Sequence, residues 1–376
     1  MGVRSQVFVE GTWQLEGQQL QAERLTITRA KLPFLLRTTA PPANTVGYVV
    51  RRTPFRPADV LAIGANTTAT PILELEQAIE IRAAAREDGA LDFVITFFMP
   101  GCDRYWVVVY SPRQGIVAKW LAERPSTDTG FFHTIWRPES GDMFFLVGTP
   151  ANGTWQYRLY RADRSRLTAE PGARLRPGLL PLGWSTFSEE LVAFDMGASR
   201  PTLVLLEPSG EETRQIPLTA TPSNIRLSPD GRRLAFTARF RRTEGPPDTL
   251  IVLDVADGSQ QVLWSSAIGE GLGTPVWAQA TTPVKVAVPV GPLQGEGKQR
   301  TFASLYTFTF GDEGRPSPEV TLFSQLRELV GVALCPDERR MWAYRDQGQT
   351  ILIHERVGER QVIPLAFTSA QVLGCE

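Results

Sequence analysis

Short apolar runs separated by turn residues dominate the middle of the chain, and the clearest example lies between residues 224 and 264. Ile225 and Leu227 alternate with polar neighbours, as in a strand with one covered face. Residues 228–231 (Ser-Pro-Asp-Gly) then form a turn, because proline pre-sets φ and glycine accepts the left-handed conformation. The stretch therefore predicts four antiparallel strands, of which the other three cover residues 234–237, 250–255 and 260–264.

The same layout recurs along the chain. When residues 228–234 are laid without gaps over 137–143, 185–191, 278–284 and 335–341, a large apolar residue precedes each segment, at intervals of 43 to 57 residues. This period is typical of a four-stranded propeller blade, so the sequence predicts an all-β fold, a β-propeller. We expect these residues to lie on innermost strands and to wedge between adjacent blades. They are Trp136, Trp184, Leu227, Trp277 and Leu334.

The spacing favours one propeller domain over residues 1–376, with seven blades; six blades plus an N-terminal extension is the alternative. The C-terminal strand candidate at residues 370–373 is too short to be a blade by itself, so we expect it to pair with N-terminal strands and close the ring. The predicted blades are 1–85 with 368–376, 86–124, 130–172, 180–220, 221–266, 272–325 and 330–367.

The run from Ser228 to Phe236, echoed from Pro336 to Trp342, resembles the WD40-like repeat of TolB-like β-propellers. The resemblance covers roughly residues 130–367, and only the repeat around 228 matches closely. It implies an interaction platform, in some cases periplasmic and in others the gate domain of a serine peptidase. A chain of 376 residues leaves no room for the peptidase domain as well.

Composition narrows the choice of partner and compartment. A formal net charge of -1 gives no general attraction to nucleic acid or to anionic lipid. The most apolar windows have strand length, so no transmembrane segment is predicted. Residues 1–12 contain no apolar signal-peptide region. We therefore expect a soluble protein, cytoplasmic as written and extracytoplasmic if a signal segment has been removed.

The residues that usually carry catalysis are scarce. His133 and His354 have no second histidine nearby, so we interpret both as structural. The three cysteines match no zinc-site spacing. Incidental thiols and a disulfide between Cys335 and Cys375 both remain open. No catalytic residue, metal site or cofactor is predicted.

The long loops give the best indication of function. In a four-stranded blade, the loops between the second and third strands open on one face, and here they include Met99–Arg104, Gly148–Gly153, Phe240–Asp248 and Pro289–Arg300. Loops on a rigid scaffold often carry binding function. We expect a non-catalytic module that binds another protein through this face; a hydrolase or lyase with a site at the axial channel is the alternative. The candidate binding residues are Arg239, Arg241, Arg242, Lys298 and Arg300.

Overall fold

A computed structural model describes most of the chain. It covers the backbone of residues 6–14 and 19–29, and residues 35–376 except 53–55, 77, 87, 100–103, 124–130, 138–139, 152–153, 163–169, 239–247, 280–283, 293–300, 311–315, 317, 336–338, 357–358 and 366–369. The regular structure of these residues is 31 β-strands. None of the described residues forms a helix that is long and apolar enough to cross a membrane.

Two sheets involve the N-terminal part of the chain. The first is an antiparallel pair, β1 (Gln6–Gln14) with β2 (Gln19–Arg29). The second contains β3 (Leu35–Thr38), β4 (Thr45–Arg51), β5 (Ala58–Gly64) and β6 (Ala69–Leu75), together with the last strand of the chain, β31 (Ala370–Cys375). Its order is β3-β6-β5-β4-β31, and β31 pairs antiparallel with β4.

Four four-stranded sheets follow, and in each the strands are neighbours in chain order. The first contains β7 (Ala78–Ala85), β8 (Leu91–Met99), β9 (Arg104–Ser111) and β10 (Gly115–Glu123). The second contains β11 (Phe131–Arg137), β12 (Asp142–Ala151), β13 (Thr154–Ala162) and β14 (Glu170–Arg174). The third contains β15 (Leu179–Ser185), β16 (Glu190–Asp195), β17 (Thr202–Leu206) and β18 (Glu212–Pro217). The fourth contains β19 (Pro222–Leu227), β20 (Arg233–Ala238), β21 (Thr249–Asp254) and β22 (Gln260–Ser265).

The remaining strands form one eight-stranded sheet, ordered β23-β25-β26-β27-β28-β29-β30 with β24 also paired to β25. Its strands are β23 (Glu270–Leu272), β24 (Val276–Trp277), β25 (Lys285–Pro292), β26 (Thr301–Thr309), β27 (Pro318–Leu334), β28 (Arg340–Asp346), β29 (Gln349–Arg356) and β30 (Glu359–Leu365).

The architecture is an all-β propeller of four-stranded blades, but the predicted count of seven blades was wrong. Five sheets of four or five strands stand apart as separate blades in the described residues. The reason is β27, whose 17 residues pair first with β26 and then with β28. This continuous strand joins the regions predicted as two blades, 272–325 and 330–367, into the eight-stranded sheet.

The core lies between the faces of successive sheets. On β21, Leu250 and Val252 pack in a cluster with residues of β25, whereas Ile251 and Leu253 pack in a cluster with residues of β16 and β17. Successive side chains of a strand point to opposite faces, and both faces are covered here. This explains why residues 250–253 are all apolar instead of alternating with polar residues.

Candidate functional site

The five recurring apolar residues lie on β11, β15, β19, β24 and β27, at or next to the last position of the strand in each case. The ring of Trp184 stacks on Phe144 of the preceding sheet, with centroids 4.5 Å apart and planes 8° apart. The indole N–H of Trp277 donates a 2.9 Å hydrogen bond to the carbonyl oxygen of Arg226, again in the preceding sheet. The side chains of Trp184 and Trp277 therefore contact the preceding sheet. The five recurring residues are Trp136, Trp184, Leu227, Trp277 and Leu334.

Two arginines lie on strands that begin their sheets, and such strands surround the axis of a propeller. Arg226 on β19 is exposed, and its guanidinium hydrogen-bonds to the carbonyl oxygen of Ile225. Burial by surrounding protein, followed by the charge of Arg82 on β7, lowers the pKa of Arg226. Arg82 itself donates a 2.6 Å hydrogen bond to Glu80. The charge of Arg82 on β7 therefore acts on Arg226 across two different sheets.

Catalytic groups do not converge in the part of the chain that the structure describes. No group of three His, Cys, Asp or Glu side chains there could hold a metal ion. His354 is buried on β29, and its burial and then the charge of Arg339 lower its pKa. His133 belongs to β11, and its side chain lies outside the described residues.

A cleft of about 190 Å³ lies at the end of the eight-stranded sheet, and we call it the rim cleft. Trp342, Ile353 and Val362 are direct cross-strand neighbours on β28, β29 and β30, so their side chains lie on the same face and form one row. Trp342 and Ile353 belong to the core between the two halves of this sheet, whereas Val362 is 54% exposed. The complete lining is Phe323, Arg327, Trp342, Tyr344, Ile353, Arg360 and Val362.

The aromatic residues of the rim cleft are packed against one another. The ring of Trp342 lies 4.8 Å from that of Phe323 on β27 and 5.4 Å from that of Tyr344. The indole N–H of Trp342 is buried and has no hydrogen-bond acceptor in the described structure. An unsatisfied buried donor is uncommon in native proteins, and the indole N–H groups of Trp184 and Trp264 are in the same state.

Two guanidinium groups cover these rings. Arg327 lies over Tyr344 with its Cζ atom 4.3 Å from the ring centroid, and Arg360 lies over Trp342 at 5.3 Å. Both distances are within the range of cation–π attraction. Of the described residues that line the cleft, two are arginines and none is acidic. The cleft therefore combines apolar walls with local positive charge.

No protein-family model matches this chain, and no curated protein does. Among solved structures, an oligogalacturonate lyase in complex with manganese is similar to it at 12% identity and a TM-score of 0.55, with 89% of each chain covered. The β-propeller domain of the Trilobed protease from Pyrococcus furiosus is similar at 12% identity and a TM-score of 0.50, covering 77% of this chain and 85% of that one. TolB from Acinetobacter baumannii is similar at 10% identity and a TM-score of 0.45, covering 88% and 67%.

The fold is a β-propeller. The propeller expected from the run between Ser228 and Phe236 is confirmed. Identities of 10 to 12% show the fold alone, so the neighbours' activities do not transfer to this propeller.

The basic residues predicted to form the binding face all fall outside the described part of the propeller, so that face stays a prediction. One of its expected long loops, Gly148–Gly153, is mostly strand, because β12 extends to Ala151 and β13 begins at Thr154. The residues outside the description are Arg239, Arg241, Arg242, Lys298 and Arg300.

Sequence reasoning missed the rim cleft of this propeller. Its residues come from four strands between positions 318 and 365, and no short motif connects them.

Proposed function

We propose that this propeller is a non-catalytic protein-interaction module and that the rim cleft is one of its docking sites. The observation that supports the proposal is the row of Trp342, Ile353 and Val362 with Arg327 and Arg360 at its sides. Tryptophan, tyrosine and arginine are the residue types enriched at energetically important interface positions. Leu322 and Leu326 of β27 are also exposed.

Site-directed photo-crosslinking in cells of the native source tests this proposal. A photoreactive benzoylphenylalanine at Val362 should form an adduct with a distinct protein after illumination. Arg174 is a matched control, because it is an exposed residue on β14, which like β30 is the last strand of its sheet. Equal adducts from both positions, or none from position 362, would contradict an interaction site at the cleft.

For the architecture behind this function, we infer a closed ring that is completed where the last strand of the chain joins the N-terminal sheet. The inference is supported by β31, which pairs with β4 and also contacts β27 and β7. An innermost strand that touches both neighbouring blades is what closure from the two chain ends requires. On this proposal the whole of residues 1–376 is one domain.

We further propose that the protein functions in an oxidising compartment outside the cytoplasm. This is supported by Cys335 and Cys375, which form a disulfide with their Cα atoms 5.3 Å apart. Structural disulfides persist mainly in such compartments. When cells are lysed directly into denaturant with an alkylating reagent, both cysteines should stay unmodified until a reductant is added. Labelling of both without reductant would place the chain in a reducing compartment.

An enzyme acting on an anionic ligand at the axis is the second candidate, and the Arg82–Arg226 pair is the observation that favours it. Oligogalacturonate, named in one similar structure, is a suitable anionic substrate to assay. Incubation with oligogalacturonate and Mn²⁺ should then produce unsaturated product detectable by ultraviolet absorbance, and Arg226→Ala should abolish it. Absence of product from the unaltered protein would dismiss this candidate.

A further inference from the structure

We propose that the rim cleft binds a partner segment that carries one aliphatic or aromatic side chain next to an aspartate or glutamate. This inference rests on the proposed interaction function and specifies the chemistry of the partner. It follows from the size of the cleft, its charge and the accessibility of its edge.

The size of the cleft excludes most small molecules. A volume of about 190 Å³ is well below the roughly 300–1,000 Å³ of typical ligand pockets. The space therefore suits one side chain that enters from a larger partner. The walls that such a side chain would touch are Phe323, Trp342 and Ile353, which are apolar and largely buried.

The positive charge of Arg360 at the opening of the rim cleft favours an acidic residue next to the apolar side chain of the partner. Arg360 is exposed, and in the described structure no carboxylate lies within ion-pair distance of it. Its direct cross-strand neighbour is Glu355, which is acidic yet not paired with it. The guanidinium lies over the Trp342 ring with its Cζ atom 5.3 Å from the centroid, within the range of cation–π attraction. A carboxylate can bind the guanidinium N–H groups through two parallel hydrogen bonds.

The edge of the cleft is open to a partner. β30 is the last strand of its sheet and pairs with β29 along one side. Val362 is 54% exposed there, and it lies two residues from Arg360 on the same face of the strand. An apolar side chain seated on Val362 would therefore bring the next residue of its own chain close to the guanidinium. The proposed partner segment therefore needs an apolar residue and an acidic residue next to each other.

A displayed library of random linear peptides is the probe for this proposal. Selection on the full-length protein, after depletion on the Arg360→Glu/Val362→Asp double variant, should enrich peptides with Asp or Glu next to Phe, Leu, Ile or Met. Fluorescence anisotropy of an enriched peptide should then show at least tenfold weaker binding to Arg360→Glu and to Val362→Asp. Arg360→Lys should retain part of the affinity, because it keeps the charge but loses the fork geometry. Binding should also weaken with added salt.

Arg174→Glu is the matched control and should bind the peptide as the unaltered protein does. All the substituted residues are exposed, so these variants should fold, and circular dichroism checks that they do. Enriched peptides without acidic residues, affinity unchanged in Arg360→Glu, or no enrichment would each overturn the proposed partner chemistry. An adduct at position 362 in cells would still uphold the interaction function in those cases. The protein could also self-associate in a concentration-dependent way that Val362→Asp abolishes. That result would identify a second copy of the chain as the occupant of the cleft and would also overturn the proposal.

Discussion

Two turns occupy the same place in their repeats, one beginning at Ser228 and the other at Cys335, yet they are held by different means. The Ser228 hydroxyl donates to Asp230 Oδ1 at 2.6 Å and accepts from the backbone N–H of Arg233 at 2.9 Å. The N–H of Gly231 donates to the carbonyl oxygen of Ser228 at 2.8 Å. The geometry of this turn is thus maintained by residues within five positions of each other.

The turn at Cys335 is held through distant residues. Its cysteine is bonded to Cys375, 40 positions later, on β31. Arg339 donates a 2.7 Å hydrogen bond to the carbonyl oxygen of Glu376. The side-chain carboxylate of Glu376 in turn accepts a 2.6 Å hydrogen bond from Tyr48 on β4. The turn is therefore connected to both ends of the chain.

The difference reflects what each turn has to stabilise. The 228 turn rests on the preceding sheet, where the carbonyl oxygen of Asp230 accepts from the N–H of Thr186 at 3.2 Å and from its hydroxyl at 2.7 Å. Its own repeat is continuous in sequence. The 335 turn lies beside β31, a six-residue strand that is separate in sequence from the strands it pairs with. A short strand recruited from the far end of a chain benefits from a covalent connection, because its ordering entropy is otherwise hard to recover.

The largest expected effect comes from removing the surface on which the 228 turn rests. Trp184→Ala should lower the free energy of unfolding by about 3 to 5 kcal/mol, as truncation of a buried aromatic side chain does, because Trp184 is 5% exposed and stacked on Phe144. Chemical denaturation measures the change. Phe187→Ala is the control, since Phe187 is 56% exposed and its loss should have little effect. Similar results for both variants would contradict the assigned role of Trp184.

Gly231→Ala should have the next largest effect and lower the free energy of unfolding by about 2 to 5 kcal/mol. The loss combines backbone strain in the left-handed region with overpacking. Gly231 has φ +66°, and a methyl group there would overlap Ser185 Cα and lie 2.6 Å from the carbonyl oxygen of Trp184. Gly348 has φ +80° with open space around it, so Gly348→Ala measures the backbone strain alone. If both substitutions lower the denaturation midpoint equally, contact between the turn and the preceding sheet contributes nothing.

The disulfide gives the corresponding test for the 335 turn. In a Cys335→Ser/Cys375→Ser double variant, the free energy of unfolding should fall by about 2 to 4 kcal/mol, the typical effect of removing a disulfide that closes a loop of this length. Denaturation with and without reductant should converge on the same midpoint for this variant, and only the unaltered protein should respond to reductant. If reductant still shifts the denaturation midpoint of the double variant, the effect of reductant does not come from the bond between Cys335 and Cys375.

Ser228→Ala should have the smallest effect and lower the free energy of unfolding by about 1 to 2 kcal/mol, because two hydrogen bonds of the turn are lost. Its hydroxyl interacts only with Asp230 and Arg233 among the described contacts, so the loss stays local. Hydrogen exchange should speed up at the N–H of Arg233 and leave β31 unchanged. Faster exchange throughout β31 would show that the two turns are coupled and would weaken the contrast between them.

Several parts of the fold were predictable from short patterns. The apolar run at residues 250–255 predicted a strand covered on both faces, and Leu250 and Ile251 pack against opposite neighbouring sheets. The Ser-Pro-Asp-Gly letters predicted a turn with left-handed glycine, which Gly231 adopts.

Other parts were not predictable. The continuity of β27 is set by hydrogen bonds to two different partners, β26 and β28, and no local pattern records them. The rim cleft depends on the positions of Arg327 and Arg360 over aromatic rings. Long side chains on a surface can point in many directions, so their sequence spacing does not reveal that they share a cleft.

By itself, the sequence determined the strand periodicity, the turn chemistry and the repeat of large apolar residues before each turn, because these depend on interactions within a few residues. Only the tertiary structure decided how many sheets stand apart, which strand joins the C-terminal segment, and that Trp342, Val362 and Arg360 share one opening. Those features arise from strand pairing and side-chain packing between distant segments, where the favourable energy comes from surfaces that meet only after folding.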